Sequence, residues 1–561
     1  MTDRLSFNRN LSRTVSYVPL LLMSAYPFLC RYDVSKSTLW YYDFLSMNGN
    51  VLWFSFLIVA VTLVGVWRKN DVPLPCLLAI VLLFSVAEVL TNYPMIWRDV
   101  FLHGSAVKGI TSQGHIGGTW ENYPETHPGF FLLWSIVTLV TSVGIFESNL
   151  LLLLPVAVML LIMLLILIYR RLSIGIVNGA TLMAFLLMNF NMNEFMFLHF
   201  NTRLLSLIYA LVFLFLFLNE KNARERVIGL LATNIALVIS HILNSLVPIV
   251  FFAVYLLSKW KRARSTASLF LSCAIIYIAW NLYVGYARLS EGLTTFLNYY
   301  YVILDLELVY GWSPVQARPQ PFFGLVLGTY FKVLLVTLAL ISLYSAIKLR
   351  RQRRVKLLAF YLLSVCMVYG FSFFSVLGWI SAHRGIIFGS VALASLPTIL
   401  LTSTAKNNSK PWKRTILIIA IIISVIPHFI LVHEPPFARC ESVGSVAQTS
   451  DFILKHRNGQ PIVSVNDFPA YYCFYEPFYQ GYDNLQLDGS SWLNNIANFL
   501  VTRPKPSLRI VDYRQTVDWA WALGRAQSYN QALREWDREV YAKLDERYNI
   551  IYGTGLETIY N

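Results

Sequence analysis

Charge is what this 561-residue chain has least of: Asp, Glu, Lys and Arg make up 13% of it, against 56% hydrophobic residues. A water-soluble domain usually carries roughly twice that charged share, so an ordinary soluble enzyme is excluded and lipid is the expected solvent. Acids are scarcer than bases, 30 against 45, for a formal net charge of +15. Such a surplus can serve nucleic acid, but here the bases stand in short clusters between apolar runs, not along one face or tail. Cysteine is also sparse. Cys30, Cys76, Cys273, Cys366, Cys440 and Cys473 show no Cys-x-x-Cys or Cys/His spacing, so neither a zinc site nor a redox motif is indicated. Cys440 and Cys473 can pair if their region is exported. The chain has no internal repeat, low-complexity tract or long Gly/Ser linker. The first apolar run, 17–30, lacks a small-residue cleavage site and reads as a retained anchor.

What is present is apolar runs. A bilayer core about 30 Å thick needs roughly 20 apolar helical residues, which predicts about thirteen spans, near 15–31, 49–67, 73–91, 149–169, 173–190, 202–218, 226–241, 243–258, 267–285, 322–347, 356–376, 384–403 and 413–432. Basic clusters around Arg9, Lys69, Arg170, Arg224, Lys261, Arg351 and Lys410 belong on the cytoplasmic side. All of them reach it only if the apolar stretch 127–145 lies in or dips into the outer face without crossing. The expected fold is therefore mainly α, a polytopic helical bundle over 1–432 in a plasma membrane. Its N-terminus is cytoplasmic, and 91–148 forms a first large external loop. From 433 to 561 the composition turns mixed and polar, with β-rich runs at 461–465, 508–511 and 549–552 and a helix-like stretch at 531–546. These predict a small external α/β domain.

The external turns hold the ionisable groups. After the third span comes Tyr93-Pro-Met-Ile-Trp-Arg98-Asp99-Val-Phe-Leu-His103-Gly-Ser-Ala-Val-Lys108, followed by His115, Glu121, Glu125 and His127. A partly desolvated carboxylate near Arg98 and Lys108 can stay ionised and abstract a proton, and Asp99 is the first candidate for that base. The bland alternative is an acid capping an interfacial helix or pairing with Arg98. Glu194 and His199 lie between the fifth and sixth spans with Asn191, Asn193 and Arg203. His241 and Asn244 interrupt an apolar stretch, and His383-Arg384 opens the twelfth span. Polar groups at span edges are costly, roughly 2.5–3.5 kcal/mol each for charges, and usually face a protein interior or wet cavity. His241 taken alone reads first as a hydrogen-bonded core histidine. Lys332 either snorkels or binds an anion. Arg384 presents a fixed guanidinium of the kind that suits phosphate.

These stretches resemble the GT-C class of polyprenyl-phosphate-sugar-dependent membrane glycosyltransferases. The resemblance rests on Trp97-Arg-Asp99-Val-Phe-Leu-His103, on Tyr123-Pro-Glu-Thr-His127-Pro-Gly-Phe-Phe and on the basic turn Tyr169-Arg-Arg-Leu172. Ser442 to Asp467 and the ending Asn549-Ile-Ile-Tyr-Gly-Thr-Gly-Leu-Glu-Thr-Ile-Tyr560 are similar to archaeal-type members. The resemblance implies juxtamembrane helices in the first external loop and an inverting transfer from a lipid-phosphate sugar to a glycan, lipid or protein acceptor. Asp99 would then be the general base, with Arg384 and Lys108 stabilising the departing phosphate. Trp97, Trp120 and Tyr123 would line the sugar site. No cofactor is predicted: the first loop has no Asp-x-Asp, although Asp99 with Glu121 or Glu125 can hold a divalent metal if folded together. Asp518-Trp-Ala-Trp521 is only a faint echo of the family's Trp-Trp-Asp-Tyr-Gly motif, which disfavours oligosaccharide transfer to asparagine. The tandem prolines of some members are replaced by Pro128-Gly129.

Three other readings stay open on the residues. A secondary transporter fits the many spans, though repeated halves and symmetrically broken helices are missing. A polysaccharide polymerase or ligase shares the lipid-linked donor. A non-catalytic assembly or sensor protein would use the C-terminal domain to bind a partner.

Overall fold

The computed structural model describes residues 98–116, 126–172, 200–219, 223–258, 264–284, 336–373 and most of 385–400. Beyond these it describes isolated positions and five strands between 462 and 560. Ten helices carry the first part: α1 (Arg98–Gln113), α2 (Gly129–Thr141), α3 (Ile145–Leu172), α4 (Thr202–Leu218), α5 (Ala223–Ser240), α6 (Leu246–Ser258), α7 (Arg264–Tyr283), α8 (Val336–Lys348), α9 (Arg353–Phe373) and α10 (Ile387–Pro397). The spans expected at 15–31, 49–67, 73–91, 173–190 and 413–432 lie outside the described residues.

Local chemistry accounts for several boundaries. Asn201 is extended and its Oδ1 accepts from the N–H groups of Arg203 and Leu204, so it caps the first turn of α4. α5 and α6 are separate because the run 241–245 turns, and Pro248 then sits in the first turn of α6 where no donor is needed. α2 ends at Ser142, which adopts a left-handed conformation with φ of 53°. α3 then begins, with one wide π turn over Ser148–Leu153. The indole N–H of Trp134 reaches back across that bend to the carbonyl of Ile145 at 2.9 Å and to Ser148 Oγ at 3.0 Å, closing α2 onto α3.

Two helices, Ile145–Leu172 and Thr266–Tyr283, are long and apolar enough to cross a membrane. α2 has 13 residues and rises about 20 Å, short of a bilayer core. The outer surface of the bundle is apolar: on α3 alone Val156, Met159, Leu160 and Met163 are about half exposed. Exposed apolar stripes this long mark a lipid-facing wall rather than a water-facing one. Inside, α4 meets α6 through interlocked rings, Phe217 lying 4.7 Å from Phe251 and 5.7 Å from Phe252, edge to face.

Contacts sort the helix ends into two sets. At one end Arg354, in the first turn of α9, donates to the carbonyl of Leu172 at the end of α3, and Arg226 donates to Asn219 after α4. At the other end Asn149 grips the backbone of Phe200 with both amide atoms, at 2.9 and 3.0 Å. Trp280 of α7 bonds the carbonyl of Thr126 there, at 3.0 Å. The arginine-rich ends and the His- and Asn-rich ends thus fall at opposite ends of the bundle.

The strands are β1 (Ile462–Val465), β2 (Tyr482–Leu485), β3 (Leu508–Asp512), β4 (Ile550–Gly553) and β5 (Glu557–Tyr560). They form one sheet in the order β2-β1-β3-β5-β4. β2, β1 and β3 run parallel, with Ile462 opposite Tyr482 and Leu508, while β5 is antiparallel to both β3 and β4. The expected runs at 461–465, 508–511 and 549–552 coincide with β1, β3 and β4. β2 and β5 complete the sheet.

Candidate functional site

The polar end of the bundle is built from α1, the start of α2, the turn between α5 and α6, the end of α9 and the start of α10. On α1, Val107 and Ile110 are buried and His103 is half-buried. Position 99 stands one helical turn before His103 on α1. The His103 ring lies edge-on to Phe130 and Phe131 of α2, at 5.4 and 5.3 Å. His103 therefore stands over the entry of α2.

His127 and Thr126 are both buried, and His127 Nδ1 shares a hydrogen bond with Thr126 Oγ1 at 3.0 Å. Two residues on, Gly129 permits the closest helix approach of the site. A Cβ there would stand 2.7 Å from Ser240 Oγ and 3.1 Å from the Ile239 carbonyl, so only glycine lets α2 start against the end of α5. Ser240 precedes His241, a buried residue whose Nδ1 faces the backbone N–H of Asn244 at 3.4 Å. The Asn244 side-chain oxygen then accepts the hydroxyl hydrogen of Tyr369 near the end of α9. Tyr369 in turn packs its ring parallel to Phe388 at 5.8 Å and leaves no room for a side chain at position 385, where a Cβ would stand 2.7 Å from its own Cβ.

One chain of contacts therefore runs from His103 through Phe130, Gly129, Ser240 and His241 to Asn244, Tyr369 and Gly385, the residue bonded to Arg384. Of the expected site residues, His103 and His241 lie on it, and His127 stands two residues before Gly129. Lys108 does not join position 99: nine residues on, it falls half a turn round the helix. Burial pushes its ammonium below the ordinary value of 10.5, because part of its hydration is lost. His115 is exposed, past Gly114 and its φ of 73° at the end of α1. Arg98 and Asp99 are described as the first residues of α1. Glu121, Glu125, Glu194, His199, Lys332, His383 and Arg384 lie outside the described residues, as do Cys440 and Cys473. Among the described residues no three of His, Cys, Asp or Glu gather as a metal site.

Two residues of this cluster were not among the expected site residues. Asn244 carries a sequence signal, a polar residue interrupting an apolar stretch, whereas Tyr369 carries none, since a tyrosine within an apolar run looks like any packed aromatic. The structure gives the pair its meaning by joining residues 125 apart in the chain.

No protein-family model and no curated protein matches the chain. Among solved structures it is similar to ArnT from Cupriavidus metallidurans bound to undecaprenyl phosphate, at 11% identity and a TM-score of 0.46 over 87% of this chain and 97% of that one. It is also similar to an oligosaccharyltransferase from Archaeoglobus fulgidus in complex with zinc and sulfate, at 12% identity and a TM-score of 0.47 over 86% of this chain and 72% of that one. Likenesses this loose assign no residue of the site.

Proposed function

We propose that this chain is a membrane glycosyltransferase of GT-C type, which moves a sugar from a polyprenyl-phosphate donor to an acceptor at the external face of a plasma membrane. In this reading 1–432 form a bundle of about thirteen spans, and 433–561 an external α/β domain around the five-stranded sheet. Asp99 takes the proton from the acceptor hydroxyl or amide as that atom attacks the anomeric carbon. The bond from that carbon to the phosphate oxygen breaks with inversion. The electron pair leaves on the lipid phosphate, whose charge Arg384 meets with its guanidinium.

The observation that carries the reading is the convergence at the polar end. Side chains that are costly in a bilayer are gathered there by contacts between segments distant in sequence, and Gly129 and Gly385 let backbones meet where a larger residue would hold them apart. A transporter would be expected to gather such groups near the middle of its helices.

The test is transfer by the purified chain from a panel of polyprenyl-phosphate sugars, with Asp99→Asn beside the unaltered protein. Transfer from one donor, reduced roughly 10²–10⁴-fold in the variant with membrane insertion unchanged, is the expected result. Full transfer by Asp99→Asn removes the base. Failure with every donor, together with solute uptake into vesicles, replaces the enzyme with a transporter.

A further inference from the structure

The opposite end of the bundle carries chemistry of its own. Arg354 donates to the Leu172 carbonyl across 182 residues of sequence and is held from its other side by Gln352 Oε1 at 3.3 Å. That contact sets the turn 349–352 beside the last turn of α3. Arg170 and Arg171 on one side and Arg350 and Arg351 on the other are all exposed. Arg354 is used in the contact, and Arg353 is already engaged. Neither segment supplies an acid: no Asp or Glu occurs from 148 to 193 or from 308 to 433.

Both arginine pairs stand at the end of a lipid-type stripe. On α3 the exposed apolar residues Val156, Leu160, Met163 and Leu167 follow helical spacing, and the next positions on that face are Arg170 and Arg171. On α8 the same spacing runs through Val336, Leu340, Leu343 and Ile347, and Arg350 and Arg351 follow in the turn just past the helix end. Tyr344 lies beside that second stripe and has the Lys348 ammonium 5.3 Å from its ring centroid, as aromatic and basic groups pair at a membrane surface. Two apolar walls each followed by a pair of guanidinium groups offer the chemistry of both parts of an anionic lipid, its acyl chains and its headgroup.

We infer that Arg170, Arg171, Arg350 and Arg351 form a binding site for the headgroup of an anionic phospholipid, whose acyl chains lie along the exposed stripes of α3 and α8. Guanidinium groups suit this partner because their paired N–H donors match phosphate oxygens two at a time. The site lies at the far end of the bundle from the sugar-transfer residues. It needs only that the chain sits in a bilayer, not that it transfers sugar.

The test uses the full chain in neutral detergent micelles, titrated with phosphatidylglycerol, phosphatidylcholine or inorganic phosphate while thermal unfolding and native mass spectra are recorded. Phosphatidylglycerol alone is expected to raise the unfolding temperature and to remain bound in the spectra. The double variants R170Q/R171Q and R350Q/R351Q, which each keep the Arg354 contact, are expected to shift the midpoint of that titration roughly tenfold or more to higher lipid, as removal of two basic groups from an anionic surface should. Equal stabilisation by phosphatidylcholine overturns the inference, as does a midpoint within about threefold of the unaltered chain in both double variants. Stabilisation by inorganic phosphate alone overturns the lipid as the partner.

Discussion

Tyr369 and Asn244 share a hydrogen bond that joins the end of α9 to the turn between α5 and α6, in a place where both side chains are closed off from solvent. The hydroxyl donates to the amide oxygen, and the amide nitrogen of Asn244 has no hydrogen-bond partner among the described residues. Tyr369→Phe would leave the amide wholly unpaired, and an unmet buried polar group costs about 1–3 kcal/mol. Thermal or denaturant unfolding in micelles should show a loss of that size. The double variant Tyr369→Phe with Asn244→Leu should recover part of it, because both polar partners are then gone. A double variant less stable than the sum of the two single losses would show that the bond is not what holds the turn.

Gly129 sets how closely α2 meets α5. Gly129→Ala forces a methyl group to within 2.7 Å of Ser240 Oγ and 3.1 Å of the Ile239 carbonyl. Overpacking of this kind typically costs about 1–3 kcal/mol. Adding Ser240→Ala removes the nearer clash and leaves the backbone one, so the pair should unfold at a temperature between Gly129→Ala and the unaltered chain. The site reading adds an activity arm, in which Gly129→Ala lowers transfer by shifting the start of α2, and His127 with it, away from the end of α5. Unchanged stability in Gly129→Ala would mean that α2 can shift freely.

Arg354 caps a helix that is not its own. The last carbonyls of α3 have no partners within the helix, and the guanidinium supplies one to Leu172 while complementing the negative end of the helix dipole. Arg354→Met should cost roughly 1 kcal/mol, a charged hydrogen bond discounted for its partial exposure. Arg354→Lys should restore part of that, since a charge near a helix end helps without the planar fork. The check is the unfolding temperature of the three proteins in one detergent at low and high salt, with the differences shrinking as salt rises.

Apolar periodicity located most of the described helices, and its errors have physical causes. The expected span 202–218 coincides with α4 because Asn201 supplies an N-cap just where the apolar run begins. The expected break between 226–241 and 243–258 falls inside the turn 241–245, marked by His241 and Asn244, but Ile242 and Leu243 keep the run apolar and hide the turn's full extent. In the sheet, β1 and β3 are rich in Ile and Val and stand out, whereas β2 reads Tyr-Asp-Asn-Leu and carries no strand signal of its own. Within the site, the polar residues His103, His127, His241 and Asn244 were visible as costly groups in apolar surroundings. Their common location was not, because contacts such as Gly129 against Ser240 depend on helix crossings that a linear pattern does not encode.

The placement of Lys108 half a turn from position 99 separates two roles that adjacency in sequence had merged. If the carboxylate of Asp99 takes the acceptor's proton, Asp99→Asn should reduce transfer roughly 10²–10⁴-fold while Lys108→Met leaves it within a few-fold, because the two positions stand half a turn apart on α1. Lys108 should act on stability instead, through pH. Its ammonium loses hydration on folding, so its folded value lies below 10.5 and the unfolded chain holds the proton more tightly. The penalty is complete below the folded value, lifts as pH rises towards 10.5 and is gone above it. Unfolding of the two proteins across that range should show Lys108→Met the more stable near neutral pH and the gap closing in alkali. Lys108→Met being the less stable protein near neutral pH, with that deficit closing in alkali, would mean the lysine is held by a partner that favours its charge, and a large loss of transfer in Lys108→Met would return it to the phosphate site.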